Sequence, residues 1–200
     1  VASLVDVDGE LIGKWLGWAQ RNNSGDSGDS DSLYYGSRIG AVNGRDTVWG
    51  TSSYMAVPNK IEISSFAQLQ KIGNHIAYPL EANYELTADI DGLGQNFEPI
   101  GDSVHAFVGV FDGKKHTIRN LQIGNEKRDF SGFFGYAQNA VIQNLKLMNV
   151  KVTGCWFVGA MAGSTKNSVV TNVISLNGDV EGESFVGGLI GEAVGGNIAI

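Results

Sequence analysis

A repeat of 28 residues constrains the fold of this chain more than any other feature of its sequence. Three segments carry the repeat, and their sequences are S-G-F-F-G-Y, V-G-A-M-A-G-S and V-G-G-L-I-G-E. Their final glycines, Gly135, Gly163 and Gly191, follow one another at intervals of 28 residues. A repeat of this length predicts a solenoid, in which each unit buries its apolar side against the units above and below it.

Positions around the glycines keep the same interval. Val152 corresponds to Val180, and Phe157 corresponds to Phe185. Each unit contains several short β-branched runs with alternating residues, broken by Gly, Asn and Asp, which predicts strands rather than helices. We therefore expect an all-β chain, with a right-handed parallel β-helix over residues 81–200 and three strands and three turns in each coil. The two corresponding pairs are expected to stack as apolar ladders inside the coils.

A recurring asparagine predicts a second kind of ladder. Asn120, Asn144 and Asn172 lie in the segments I-R-N-L, I-Q-N-L and V-T-N-V, at intervals of 24 and then 28 residues. The first interval predicts that one coil is shorter than the others. At a bend, a side-chain amide can bond backbone groups that would otherwise be unpaired, and it can bond its counterpart one coil along.

The first 80 residues do not share the repeat. In residues 1–60, the polar tract 22–32 contains no hydrophobic residue, which predicts a mobile loop or linker. Residues 61–80 are expected to hold a capping helix, because Ser65 can cap an N-terminus and Gln68 follows three positions on. Apolar residues at helical spacing extend this helix to Ile76. A helix of this length is marginal alone, so we expect its apolar stripe to cover the open end of the first coil.

The charge of the chain argues against two classes of partner. Its formal net charge is −7 and its Lys and Arg residues do not cluster, whereas nucleic acids and anionic membranes require clustered positive charge. No apolar run approaches the ~18 residues of a membrane span. The single cysteine, Cys155, excludes an internal disulfide and is expected to pack as a small hydrophobic residue.

The repeat glycines lie within longer motifs. These are G-F-F-G, G-A-M-A-G and G-G-L-I-G, preceded by Y-E-L-T-A-D-I-D, F-E-P-I-G and F-V-G-V-F-D-G-K-K-H-T-I-R-N-L. In this order, over residues 61–200, the motifs resemble the GLUG-motif repeats of bacterial secreted and surface proteins. The resemblance implies a β-helical segment of a large exported protein, such as an adhesin or an IgA-cleaving metallopeptidase, located outside the cell or on its surface. It implies no catalytic residues.

An acidic group in residues 89–112 is the main catalytic alternative. β-Helix enzymes that act on polysaccharides use pairs of carboxylates, which would make this chain a polysaccharide lyase or a glycoside hydrolase. The candidates are Asp89, Asp91, Glu98, Asp102 and Asp112, with His116 as an acid-base partner of Asp112 or as a metal ligand. We favour a structural interpretation, because A-D-I-D and F-D-G are turn sequences in which Asp bonds nearby backbone amides. His116 also lacks the second nearby ligand that a metal site requires.

Two further groups of residues suggest ligands. Acidic residues in segments 6–10 and 26–31 could bind calcium, but neither segment has the spacing of a calcium loop. We favour a solvated linker there and predict no cofactor. Four tryptophans could stack on the apolar faces of sugar rings, although large aromatic residues also fill cores. They are Trp15, Trp18, Trp49 and Trp156.

The sequence as a whole predicts a non-catalytic structural or binding module of a bacterial secreted or surface protein, with a host protein or a glycan as its ligand. The last unit ends in G-G-N-I-A-I, where Ile198 repeats Ile142 and Val170. An uncovered coil exposes unpaired backbone groups and an apolar cross-section. We therefore expect further coils, a partner subunit or a self-contact to cover it.

Overall fold

The computed structural model describes residues 60–199, and within residues 1–59 it describes the backbone of four short strands. These strands are β1 (Ser3–Val5), β2 (Leu11–Lys14), β3 (Tyr34–Ser37) and β4 (Ser53–Ala56). β1 pairs with β2 and β3 pairs with β4, both antiparallel. The chain divides into two compact units between Asn59 and Lys60. The predicted linker at residues 22–32 lies outside the described residues.

The second unit is built almost entirely of short parallel strands. They are β5 (Ile61–Ile63), β6 (Asn83–Leu86), β7 (Ile90–Asp91), β8 (Asn96–Phe97), β9 (Val110–Asp112), β10 (Thr117–Arg119), β11 (Gln122–Gly124), β12 (Phe134–Gln138), β13 (Val141–Met148), β14 (Lys151–Thr153), β15 (Trp156–Gly159), β16 (Ala162–Lys166), β17 (Val169–Leu176), β18 (Asp179–Glu181), β19 (Ser184–Gly187), β20 (Ile190–Val194) and β21 (Asn197–Ala199). They wind in about four coils, so the predicted all-β solenoid of parallel strands is confirmed.

Each strand lies over its equivalent in the next coil. The largest sheet has the strand order β21-β17-β13-β9-β6-β5, and β7 and β10 extend it beside the second half of β13. The other sheets have the orders β18-β14-β11-β8 and β12-β16-β20, and β15 pairs with β19. Val152 pairs with Val180 and is fully buried, as the 28-residue interval predicts.

The early and late coils differ in what fills them. The early interior holds large aromatic side chains that are almost completely buried: Tyr84, Phe97, Phe107, Phe111, Phe133 and Phe134. Phe97 and Phe133 stack with ring centroids 5.2 Å apart and planes 6° apart. In the later coils smaller side chains such as Val152, Ala162 and Val173 fill the interior. Burial contributes about 25 cal/mol per Å² of apolar surface, so each buried ring in the early coils contributes more than its smaller counterparts.

Left-handed asparagines bend the chain at regular intervals in the late coils. Asn139, Asn144 and Asn149 each have a φ of 52° and are five residues apart, and Asn167, Asn172 and Asn177 repeat them one coil on with φ values of 51° or 52°. Asparagine tolerates this conformation because its short polar side chain can bond locally. The Asn172 Nδ2 donates to the Asn144 Oδ1 over 2.8 Å, which is the predicted turn ladder.

The place of Asn120 in these ladders differs from the prediction. The Asn149 Nδ2 donates to the Asn120 Oδ1 over 3.3 Å, across 29 positions, so Asn120 lies over Asn149 and not over Asn144. Asn144 instead donates to the Asp112 Oδ1 over 3.1 Å. The prediction that this coil is shorter than the others is therefore wrong. Four residues, Gly113 to His116, join β9 to β10 where two residues occupy the equivalent place in β13, which makes that coil longer and displaces the I-R-N-L segment by one corner.

The predicted capping helix is shorter than its sequence pattern. The helix α1 spans Phe66–Leu69, with Ser65 as its N-cap accepting a bond from the Gln68 amide. It does not continue to Ile76, because Gly73 adopts a φ of 78° and ends the turns that follow Leu69. Leu69 is nonetheless fully buried, and the ring of Phe66 lies 6.3 Å from that of Phe97. The short helix thus packs against the interior of an early coil.

Candidate functional site

The acidic residues of the catalytic alternative are bound within turns. Asp91 accepts bonds of 2.9 Å from the Leu93 amide, from the Arg119 Nε and from the Asn120 Nδ2. The bonds from Asn120 and Arg119, followed by that from Leu93, lower the pKa of Asp91 to about 2. Asp102 accepts from the Val104 and His105 amides over 2.8 and 2.7 Å, and the His105 amide bond lowers its pKa most. Both groups are therefore held as carboxylates.

Asp112 has the same role at the next turn. It accepts from the Lys114 amide and the Gln143 Nε2 over 2.9 Å each, in addition to its bond from Asn144. Burial is the largest effect and raises the pKa of Asp112, but the bonds from Lys114, Asn144 and Gln143 together outweigh it and lower the pKa. A general acid needs a raised pKa, so this carboxyl is poorly suited to that role.

His116 pairs with Asp89 and not with Asp112. Its Nδ1 lies 3.1 Å from the Asp89 Oδ1, which also accepts a 2.9 Å bond from the Thr117 amide. The Thr117 amide and then His116 lower the pKa of Asp89. The fifth acid, Glu98, forms an ion pair with Arg128 over 2.7 Å. Four of the five predicted acids thus bond main-chain amides, and the fifth neutralises a cation.

Potential metal ligands are dispersed over the solenoid. Within residues 60–199, no three His, Cys, Asp or Glu side chains come together in a group that could hold a metal ion. The acidic segments considered for calcium, Asp6 to Glu10 and the tract with Asp26, Asp29 and Asp31, lie outside the described residues. None of the described helices has the length and apolar character needed to cross a membrane.

A ladder of phenylalanines lies on the outside of the coils. Phe130, Phe157 and Phe185 have φ values of 57°, 58° and 53°, and successive rings stack 4.8 Å apart with planes 16° and 18° from parallel. The predicted stacking of Phe157 on Phe185 is confirmed, but its predicted place inside the coils is wrong. Phe157 is half-buried and Phe185 is 53% exposed, whereas Val158, the residue after Phe157, is fully buried, because the left-handed backbone interrupts the alternation of the strand.

The repeat glycines are explained by this ladder. A Cβ on Gly163 would lie 2.6 Å from the carbonyl oxygen of Phe157 and 2.7 Å from the Cα of Phe130. A Cβ on Gly191 would lie equally close to the oxygen of Phe185, and one on Gly135 would lie 2.9 Å from that of Phe130. The backbone of each outward phenylalanine therefore crosses the following strand so closely that only glycine fits. The glycines and phenylalanines therefore recur together because each outward phenylalanine requires a glycine in the following strand.

The phenylalanine ladder is one column of a nine-residue surface, which we call the corner tile. Its three rows are residues 128–130, 155–157 and 183–185, with the sequences R-D-F, C-W-F and E-S-F. Backbone bonds hold the rows in register: the Cys155 amide donates to the Arg128 oxygen over 2.7 Å, and the Glu183 amide donates to the Cys155 oxygen over 2.9 Å. The Trp156 amide also donates to the Asp129 Oδ1 over 3.3 Å.

Trp156 lies at the centre of the corner tile and is 48% exposed. Its ring is tilted by 47° from that of Phe185 and by 65° from that of Phe157, at centroid distances of 6.3 and 6.4 Å. Asp129 and Glu183 lie in the rows on either side of Trp156, and both are exposed. Burial, followed by Glu183 and then Asp129, raises the pKa of the Cys155 thiol, which places both carboxylates next to this row.

One of the four tryptophans predicted to stack on ligands lies in the described solenoid. Trp156 is exposed as that prediction requires, whereas Trp15, Trp18 and Trp49 lie outside the described residues. The prediction missed the neighbouring phenylalanines and the two carboxylates. The recurrence of Phe one coil apart was visible, but its outward direction depends on a left-handed backbone that no sequence pattern indicated.

Comparisons with known proteins found two relatives of limited coverage. The chain is 43% identical to halomucin of Haloquadratum walsbyi over 52% of this chain and 1% of halomucin. It is 30% identical to a putative Gly-rich membrane protein of Evansella cellulosilytica over 53% of this chain and 13% of that protein. The chain thus spans a small part of each relative. No protein-family model and no solved structure matches it.

Proposed function

We propose that the β-solenoid of residues 60–199 is a non-catalytic structural and binding module of an exported or cell-surface protein. The observation that carries the proposal is the use of the acidic residues: four bond main-chain amides and one pairs with Arg128. These bonds stabilise the coils and lower the pKa of all four aspartates, whereas a general acid needs a raised pKa. The names of the two relatives, a mucin-like name and a membrane protein, agree with a place at the cell surface.

The architecture suits a rigid spacer. Parallel strands are spaced about 4.8 Å apart, so each coil adds a fixed length along the axis. Ladders of side chains join every coil to the next, and such a stack resists bending because each unit contacts its neighbours over its full cross-section. In its finer form, the proposal is an adhesin-like protein of a bacterium in which this spacer also presents a contact surface.

Measurements of catalytic activity and of cellular location test this proposal separately. The full chain is incubated with neutral and uronic-acid polysaccharides, and new reducing ends and unsaturated products are measured. We expect no product. Product formation by the wild type that is lost in Asp89→Asn or Asp112→Asn would favour a lyase or glycoside hydrolase. Antibodies against the chain should label intact cells of the source organism, and labelling only after lysis would contradict a surface location.

The end of the last described coil suggests a further contact. Val173, Val180, Val186 and Leu189 line an apolar hollow there, and β21 pairs only with the first residues of β17. Unpaired strand edges and apolar surface favour the addition of another β layer. We propose that a partner subunit or a self-contact covers this end. Hydrogen exchange on the full chain tests it: slow exchange of the edge amides of β18 and β19 is expected, and rapid exchange would contradict it.

A further inference from the structure

We propose that the corner tile binds a neutral glycan, with a pyranose ring stacked on Trp156 and its hydroxyl groups bonded to Asp129 and Glu183. This assignment deepens the proposed function and rests on it, because it gives a ligand class to the contact surface of the module. The backbone conformation of the corner tile, the chemistry of its exposed groups and their charge each support it.

The outward phenylalanines are held in an unfavourable conformation. A left-handed backbone costs a bulky residue roughly 1–2 kcal/mol, and here three such residues recur in successive coils. Late-coil corners elsewhere use asparagine, which adopts the conformation at lower cost. Ring stacking offsets part of the cost at Phe130 and Phe157. It offsets less at Phe185, which remains 53% exposed. Residues kept in strained conformations commonly mark functional surfaces.

The residues ahead of the phenylalanines are the ones that vary within the corner tile. The third column is Phe in every row, and its place is fixed by the glycines beneath it. The first two columns change from R-D to C-W to E-S, although their backbone bonds are equivalent. Asp129 and Glu183 each use one oxygen to bond the middle row, at the Trp156 amide and the Cys155 thiol, and keep further acceptor capacity. The architecture does not require an exposed tryptophan between them, and ligand contact explains its presence.

The chemistry of these groups matches a sugar better than an apolar partner. An aromatic face packs against the C–H face of a pyranose, while carboxylates accept hydrogen bonds from its hydroxyl groups. Trp156 is tilted from both neighbouring phenylalanines, so its ring is not used in their stack. An apolar peptide on the same surface would bury two carboxylates that each have a single donor in the structure, from the Trp156 amide and the Cys155 thiol, which is costly.

The charge of the corner tile selects among glycans. Arg128, the one cation in its rows, is paired with Glu98, which leaves the charges of Asp129 and Glu183 on the surface. The chain as a whole carries a formal net charge of −7. Uronic-acid or sulfated chains would be repelled by this potential. The ligand is therefore expected to be a neutral oligosaccharide.

Calorimetric titration of the full chain with defined hexasaccharides tests the proposal. The neutral probes are oligomers of glucose, mannose, galactose and N-acetylglucosamine, and the anionic probes are oligogalacturonate and a heparin hexasaccharide. We expect at least one neutral probe to bind and the anionic probes to bind more weakly. Trp156→Ala should weaken that binding about tenfold, since one lost ring contact of this size corresponds to roughly 1.4 kcal/mol. Asp129→Asn with Glu183→Gln should weaken it severalfold.

Ile76→Ala provides the matched control, because Ile76 is also an exposed apolar residue, at 57%, but lies between α1 and β6, outside the corner tile and the hollow at the last coil. It should leave binding unchanged, and the melting temperatures of all variants should show that they fold. Absence of binding to every neutral probe at millimolar concentration overturns the proposal, as does binding that Trp156→Ala leaves intact. Preference for a cationic peptide or an anionic glycan overturns it too. Each of these outcomes leaves the proposed function standing, because that function is contradicted only by catalytic products or by an intracellular location.

Discussion

The early and late coils of the solenoid form their corners in different ways. In the early coils, Asp91 and Asp112 each begin an Asp-Gly turn followed by two residues of positive φ, at Leu93 and Gly94 or at Lys114 and Lys115. In the late coils, one left-handed asparagine replaces each of these turns. The early interior is rich in aromatic rings, and the late interior is made mainly of aliphatic residues.

The two kinds of corner are joined by ladders of hydrogen-bonded side chains, each of which begins at an aspartate. One ladder runs from Asn172 through Asn144 to Asp112, and the other runs from Asn149 through Asn120 to Asp91. Each amide donates toward the preceding coil, and Asn144 and Asn120 also accept from the following one. A carboxylate only accepts, so it suits the first place, where its oxygens also bind the amides of its own turn. The change from Asp to Asn therefore separates the start of the stack from its repeating part.

The largest expected effect lies at the glycines of the late coils. Gly163→Ala places a methyl group against the backbone of Phe157 and Phe130, which cannot move without separating two coils. We expect a loss of about 3 kcal/mol in the free energy of unfolding, measured by denaturation with guanidinium chloride. Gly188→Ala is the control, because a methyl group at that position would have nothing within 4 Å of it, and its effect should be close to zero. Equal effects for the two variants would show that the close crossing does not exist.

A smaller effect is expected at the asparagine corner. Asn144→Ala removes both ladder bonds and puts alanine in a left-handed conformation, which should cost about 2 kcal/mol of unfolding free energy. Asn144→Gly removes the same bonds but tolerates the backbone, so about half of the loss should be recovered. Thermal denaturation of both variants measures the difference. If glycine is no better than alanine, the left-handed corner is not a determinant of stability.

The aspartates that begin the two ladders predict that the stability of the chain depends on pH. The pKa of Asp91 is about 2 in the folded chain, below its ordinary value of 3.8. As pH falls, the unfolded chain therefore takes up this proton first, and the stabilisation present above about pH 4 is lost toward pH 2. Asp91→Asn should flatten this part of the stability curve, whereas Asp179→Asn, an exposed acid in the last coil, should not. Identical curves for wild type and Asp91→Asn would show that the carboxylate does not start the ladder.

Much of the fold could be predicted from the sequence because equal spacing has a direct structural consequence. The interval between Gly135, Gly163 and Gly191 indicated the parallel coils, and the pair Val152 and Val180 stacks as expected. Asn120 was aligned with the wrong asparagine because the second coil carries an insertion. Its four-residue segment, I-R-N-L, also resembles the sequences at two different corners of the next coil. The GLUG resemblance stays a prediction, since no family model matches the chain.

The candidate site was less predictable. Alternation in a strand places Phe157 and Phe185 inside, and only a left-handed backbone brings them out. The 28-residue interval aligns C-W-F with E-S-F, but R-D-F lies 27 residues ahead of C-W-F and falls outside that interval. Trp156 could be identified as a ligand candidate because it is a large aromatic residue, but Asp129 and Glu183 acquire meaning only when the coils are stacked.

Disulfide trapping tests the register of the coils most directly. In a Cys155→Ser background, Arg119→Cys with Met148→Cys places two thiols on paired residues of β10 and β13, within the distance that a disulfide spans. Arg119→Cys with Gln143→Cys tests the alternative alignment, in which Asn120 lies over Asn144. We predict rapid bridging of the first pair in the folded full chain and little of the second. Bridging of the second pair in preference to the first would contradict the structure described here.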